Sequence, residues 1–138
     1  MTAFVVDASI ALAWCFEDEA TPASDELLDR LADEEALAPA LWRLEVANAL
    51  AMAERRHRLS VAGLSRSVDL LRQLAVAIDH EGSDRAFRDI LSLARSERLT
   101  AYDAAYLELA LRLGLPLASK DIKLRQAAAG LGLALLGI

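Results

Sequence analysis

The chain has a single cysteine, Cys15, only two histidines, His57 and His80, and no glycine-rich phosphate loop. One cysteine excludes an internal disulfide and fits a reducing compartment, so a cytoplasmic protein is expected. Cys15 falls in an apolar helical stretch and reads as a small core residue rather than a nucleophile. With two histidines, no C-x-x-C and no H-E-x-x-H, a zinc site is not expected. Without a phosphate-cradling loop, neither is a nucleotide-binding NTPase. No stretch approaches the ~18–20 uninterrupted apolar residues of a membrane span. The start, MTAFVVDAS, has no basic n-region and no long apolar h-region, which predicts no secretory signal. No repeat, low-complexity tract or linker interrupts the 138 residues, so one domain is expected over residues 1–138. Aromatic residues are scarce at 5%, although 55% of the chain is hydrophobic. The apolar content is mostly Ala, Leu, Val and Ile, which suits helices packed tightly on a sheet. Basic residues number 15 against 21 acids, a formal charge of −6. That argues against a general nucleic-acid coat, which is basic. It leaves room for an enzyme that holds phosphate through divalent cations, because acids gathered for a cation make the count negative.

What is present begins with Ala3-Phe4-Val5-Val6, a short apolar run ending on Asp7. Such a run reads as a strand buried on both faces, and Ser9 to Phe16 follows as a helix. Glu17-Asp18-Glu19 is an acidic break. Thr21 and Pro22 open a second helix, as cap and first helical residue. Ala36-Leu37-Ala38 forms a short strand ended by Pro39, and a long helix runs from Ala40 to Arg56. It closes on Arg55-Arg56-His57-Arg58, a basic cluster that either matches the helix dipole or contacts phosphate. Ser60 caps Val61–Leu74, and Ala75–Asp79 is another strand. Ser83 is expected to cap a helix over Asp84–Arg95, with Phe87, Ile90, Leu91 and Ala94 on one face. Thr100 caps Ala101–Leu113, which Gly114 terminates. Leu115–Ala118 is a strand, Asp121–Ala129 a helix, and Leu133–Leu136 a last strand. Strands alternating with helices predict an α/β fold, a three-layer α/β/α sandwich with a mostly parallel central sheet.

Four acids stand out by position. Asp7 and Asp121 follow strands, and so share the rim where open parallel sheets bind ligands. Asp103 lies in the first turn of the helix capped by Thr100. Glu45 lies inside the long helix, with Asn48 three residues on along the same face. Taken singly, each has a structural alternative. Asp7 or Ser9 can cap the first helix, Thr100 and Asp103 approximate a capping box, and Asp121 complements a helix dipole. Together they suggest three or four carboxylates in one pocket. Like charges so close repel and raise one another's pKa, a penalty that a divalent cation removes. Hard Mg²⁺ or Mn²⁺ suits such an all-oxygen site.

Four stretches carry a family resemblance. They are Val5-Val6-Asp7-Ala8-Ser9, Leu44-Glu45-Val46-Ala47-Asn48-Ala49-Leu50, Leu99-Thr100-Ala101-Tyr102-Asp103-Ala104-Ala105-Tyr106-Leu107 and Leu117-Ala118-Ser119-Lys120-Asp121. In order and over essentially the whole chain, they resemble the motifs of PIN-domain ribonucleases. They look most like those of the VapC-type toxins of bacterial toxin–antitoxin pairs. The resemblance implies a PIN-like fold and an endoribonuclease dependent on Mg²⁺ or Mn²⁺. It implies that Asp7, Glu45, Asp103 and Asp121 bind metal and act in catalysis. Ser9 and Ser119 would support them by hydrogen bonding, Ser119 standing where many members carry Thr. Asn48 and Tyr102 are matched with less defined roles, and Tyr106 reads as packing. No protein nucleophile is needed, in keeping with the lack of a Ser–His–acid arrangement. Lys120, Lys123 and Arg125 are candidates to hold the RNA backbone, or else ordinary solvated charge. The implied partners are RNA, a VapB-like antitoxin lying over a helical groove, and a second copy in a homodimer. Trp14, Phe16 and Trp42 are candidates for that groove, with core packing the alternative use. A haloacid-dehalogenase-type phosphatase needs an acid at the position of Ser9, and a receiver domain does not fit the helix-borne Glu45. The remaining rival is a PIN fold that binds a partner but does not cut.

Overall fold

Phe4, Val5 and Val6 are fully buried, and the strand they form is the middle of the molecule. In a computed structural model, which describes residues 2–138, this strand, β1 (Thr2–Val6), has neighbours on both sides. β2 (Glu35–Pro39) and then β3 (Val76–Asp79) lie on one side; β4 (Leu117–Ala118) and then β5 (Leu135–Leu136) lie on the other. Every pair is parallel, so the expected mostly parallel sheet is wholly parallel among the described residues.

The helices are α1 (Ala8–Cys15), α2 (Pro22–Arg30), α3 (Leu41–Arg55), α4 (Val61–Gln73), α5 (Leu91–Glu97), α6 (Ala101–Leu113) and α7 (Ile122–Gly130). The steps from β1 to β3 move one way along the sheet, and those from β3 to β5 move the other way. Right-handed crossovers put the two sets of helices on opposite faces. In keeping with this, α1 packs on α2 and α3, whereas α6 packs on β1, β2 and α7. This is the three-layer sandwich expected.

Most helix starts follow local chemistry. Thr21 and Ser24 form a reciprocal capping box behind Pro22, Ser60 accepts from the Gly63 amide, and Thr100 accepts from the Asp103 amide. Gly114 takes the left-handed conformation (φ 65°) and returns its N–H to Ala110, which ends α6.

One segment departs from its expected form. Residues 84–95 are not a single helix capped by Ser83. A 3₁₀ turn (Gly82–Arg85) runs into a π-helical turn (Ala86–Ile90) and only then into α5, with no side-chain cap at any of these starts. The wider π turn carries Phe87 off the face that Ile90 occupies. Ile90 is therefore buried against Ala104 and Ala105, while Phe87 is 91% exposed. The acidic break is a 3₁₀ turn, Glu17–Glu19.

Trp14, Phe16 and Trp42 are all core residues; this corrects the candidacy of Trp14 and Phe16 for an exposed groove, whereas Trp42 also lines the groove between α3 and α4. Each ring is large, and each indole N–H has an internal acceptor: Trp14 donates to the Ser24 carbonyl (2.8 Å) and Trp42 to the Asp7 carbonyl (3.2 Å). Cys15 packs half-buried against the same core, and burial pushes its thiol up, as its reading as a packing residue requires. No helix among the described residues is long and apolar enough to cross a membrane.

Candidate active site

β1 and β4 are adjacent, yet the chain leaves them in opposite directions along the sheet. Such a switch point opens a crevice beyond the strand carboxyl ends, because the following helices lie on opposite faces. Asp7 and the Ser119-Lys120-Asp121 turn stand at that place. Asp7 is buried, and both of its carboxylate oxygens are held. Oδ1 accepts from the Ser9 hydroxyl (2.6 Å) and the Ile10 amide (3.2 Å), and Oδ2 accepts from the Ser119 hydroxyl (2.5 Å). The two serines also accept. Ser9 takes the Lys120 amide (2.8 Å) and Ser119 takes the Asp121 amide (3.0 Å). Each hydroxyl thus bridges Asp7 to the turn after β4. Asp7 also caps α1, so the structural reading of this residue holds.

Burial pushes the Asp7 carboxyl up to about 6, against the lowering pull of its three hydrogen bonds, and the charge of Asp121 adds to the rise. Asp121 caps α7 through its Oδ1, which accepts from the Leu124 amide (2.9 Å), and its side chain is exposed. Asp103, in the first turn of α6, is raised first by burial and then by Asp121, with Lys123 opposing. Glu45 reaches in from α3. It too is raised by burial, and Asp103 adds to this, while a hydrogen bond from the Tyr106 hydroxyl opposes it. The four acids therefore form one electrostatically coupled series, Asp7 to Asp121 to Asp103 to Glu45. They are coupled in pairs: among the described residues, no three acids, histidines or cysteines stand ready-made as a metal shell. The donor set is all oxygen, mutually repelling and partly desolvated, which is the chemistry a hard divalent cation fits.

Other expected residues separate clearly. Asn48 is exposed, so its amide needs no protein partner, contrary to its expected place near the core. Tyr102 is likewise exposed. Lys120 donates through Nζ to the Glu19 carbonyl (2.5 Å), and Arg125 donates to the carbonyls of Ser119 and Leu136 (both 2.7 Å). Those two cations are engaged by backbone carbonyls, and Lys123 remains exposed beside Asp103. In the basic cluster, Arg58 stacks over Phe16 at 4.1 Å and pairs with Asp18 (2.9 Å) and Glu19 (2.6 Å), a structural use. Sequence reasoning assigned Tyr106 to packing alone. Its ring is packed, but its hydroxyl is spent on Glu45, and burial together with that carboxylate raises its pKa and keeps it a donor. The signal available was its position three residues after Asp103, on the same helix face.

Beside the site, α3 and α4 enclose a groove of about 700 Å³ lined mainly by Trp42, Val46, Leu50, Leu64, Val68 and Leu71, with Arg43 and Arg72 at its margin. Trp42 belongs to both places, since its indole holds the Asp7 carbonyl.

Residues 4–130 match the PIN domain family. Comparison with curated proteins by sequence gave no match. Among solved structures, PAE2754 from Pyrobaculum aerophilum is similar at 27% identity and a TM-score of 0.71, over 97% of this chain and 83% of that one. VapBC2 from Rickettsia felis, solved bound to a DNA fragment from its promoter, is similar at 10% identity and a TM-score of 0.65, over 98% and 97%. VapC20 of Mycobacterium tuberculosis, described as a Sarcin–Ricin-loop-cleaving toxin, is similar at 14% identity and a TM-score of 0.63, over 91% and 95%. The last two likenesses are of fold. With the motifs in order, the acids at the switch point and a match over nearly its whole length, the chain belongs to the PIN-domain family, a family of nucleases.

Proposed function

We propose that the chain, as one domain over residues 1–138, is an endoribonuclease dependent on Mg²⁺ or Mn²⁺ and the toxin of a toxin–antitoxin pair acting in the cytoplasm. The observation that carries the reading is Asp7, buried at the sheet's switch point and bridged by Ser9 and Ser119 to the turn that bears Asp121. Asp7, Glu45, Asp103 and Asp121 would hold the cation. When bound, Mg²⁺ or Mn²⁺ supplies Lewis acidity to a water nucleophile and to the phosphodiester oxygens. Ser9 and Ser119 keep both Asp7 oxygens directed, and α6 presents Asp103 from its first turn. Lys123 is the exposed cation beside the acids that suits an RNA phosphate. Without a cation the acidic crevice repels RNA, so cleavage depends on metal.

The α3–α4 groove suits an apolar antitoxin segment, and structures of similar fold include a toxin–antitoxin complex from Klebsiella pneumoniae. Exposed Phe87 and Leu91, which share one surface depression, support a second copy in a homodimer.

A non-cutting PIN-fold binding module is the alternative, and one observation favours it: no three acids stand ready-made as a metal shell among the described residues. Incubation of total bacterial RNA with purified protein separates the two. Discrete fragments formed with Mg²⁺ or Mn²⁺, and absent with EDTA or in Asp7→Asn and Asp103→Asn, establish the nuclease. No cleavage by folded, antitoxin-free protein under either metal leaves the binding module.

A further inference from the structure

Tyr106 is the largest of the fully buried side chains, and its hydroxyl meets the half-buried Glu45. A phenylalanine would fill the same space without burying a polar atom, so packing alone does not account for the oxygen. The hydroxyl has one hydrogen-bond partner among the described residues, Glu45 Oε1, contributed by another helix 61 positions away in sequence.

The acids differ in how they are held. Asp7 is gripped by three donors, and Asp121 is fixed by capping α7. Asp103 sits on a short side chain in a capped first turn. Glu45 has the longest side chain of the four and is half-buried at the start of the second turn of α3, and no backbone amide among the described residues holds its carboxylate. The Tyr106 hydroxyl is its one protein donor among the described residues. The bond occupies one lone pair of Oε1 and leaves Oε2 without a hydrogen-bond donor among the described residues. Asp103 and Tyr106 are three residues apart on α6, so one helix face both supplies an acid and orients the acid arriving from α3.

We propose that Tyr106 is a positioning residue, whose hydroxyl fixes the Glu45 carboxylate in the direction needed to complete a divalent-cation site with Asp103. The inference rests on the metal-dependent nuclease reading above. Groups that orient metal-binding side chains typically change metal affinity or activity by about 10–100-fold when removed.

The test is direct Mn²⁺ binding, by paramagnetic resonance of free Mn²⁺, together with RNA cleavage across a Mn²⁺ titration. The proteins are wild type, Tyr106→Phe, Glu45→Gln and the double variant. The expected result is a fold retained in Tyr106→Phe, Mn²⁺ affinity weakened about 10-fold or more, and cleavage regained at high Mn²⁺. In the Glu45→Gln background, Tyr106→Phe then has no further effect, because the hydroxyl acts through Glu45. If wild type binds Mn²⁺ and Glu45→Gln impairs it, but Tyr106→Phe matches wild type, the positioning role is overturned and the nuclease reading stands. An equal loss from Tyr106→Phe in both backgrounds, or loss of its fold, also overturns it, since the hydroxyl then serves the structure. Failure of wild type either to bind Mn²⁺ or to cleave removes the nuclease reading and this inference with it.

Discussion

Asp7 binds a proton more tightly in the folded chain than in the unfolded one. Its folded pKa is about 6 against an ordinary 3.8, so between those values the native state holds more protons. Stability therefore falls as pH rises through that window, and above about pH 6 the ionised buried carboxylate costs on the order of 3 kcal/mol. Asn keeps the capping oxygen and removes the charge. Asp7→Asn is expected to abolish cleavage and, in EDTA, to melt a few degrees above wild type at pH 7.5. The difference shrinks toward pH 4. Thermal melts at three pH values check the sign; a variant less stable at every pH would mean that the hydrogen bonds to Ser9 and Ser119 outweigh the charge. Ser9→Ala removes one of the three donors and is expected to slow cleavage less than Asp7→Asn, with the fold retained.

Among the elements, α6 is the most completely specified by its own sequence. Thr100 starts it, Gly114 stops it, and the apolar residues from Ala104 to Ala110 between them are buried. Thr100→Ala is expected to cost about 1 kcal/mol in urea unfolding and also to slow cleavage, because the turn it fixes carries Asp103. The close of β5 depends on a residue with no chemistry of its own. Gly137 has φ of 102°, and a Cβ there would meet Ile10 Cδ1 at 2.7 Å and the Ser119 backbone at 3.3 Å. Gly137→Ala is expected to destabilise the chain by about 1–3 kcal/mol and to weaken cleavage by displacing Ser119. Unchanged activity in a destabilised variant would separate that turn from the site.

At the scale of the molecule, one arginine ties the edge strand to the helical layer. Arg112 of α6 pairs with Asp79 at the end of β3 (2.7 Å), with Glu108 (2.9 Å) and with Glu81 (3.0 Å). Asp79 and Glu108 are nearly buried, at 9% and 6% side-chain exposure, so removing the guanidinium strands both charges. Arg112→Met is expected to cost about 3–5 kcal/mol in urea unfolding, without a direct effect on the acid site. Burial alone would push Asp79 up, but Arg112 overrides it and holds the carboxyl below its ordinary value. That contribution is present at neutral pH and lost as pH falls through the lowered pKa, the opposite sign to Asp7. Cation binding provides a second whole-molecule readout. Mn²⁺ at 100 times its Kd stabilises a native site by about 2.7 kcal/mol. The melting temperature of wild type is expected to rise with Mn²⁺, and that of Asp7→Asn is not.

By itself the sequence determined the elements whose signals are local. The apolar run into Asp7, the caps at Thr21, Ser60 and Thr100, and the stop at Gly114 each act within a few residues, and alternation of strands with helices then leaves little choice but a parallel sheet. Asp7, Asp103 and Asp121 stood out for the same reason, as each sits at a strand end or helix start that local patterning marks; Glu45, inside the long helix, stood out through its neighbour Asn48 and the family resemblance. Tertiary structure decided what depends on distant partners. The π turn at 86–90 answers to Ala104 and Ala105 across the fold, which no pattern within that segment encodes. Trp14, Phe16 and Trp42 could have been surface or core until the acceptors for the two indoles and the Arg58 partner of Phe16 were placed. The hydroxyl of Tyr106 acquired its use only when α3 brought Glu45 to it, because a hydrogen bond between residues 61 positions apart exists only after the chain has folded.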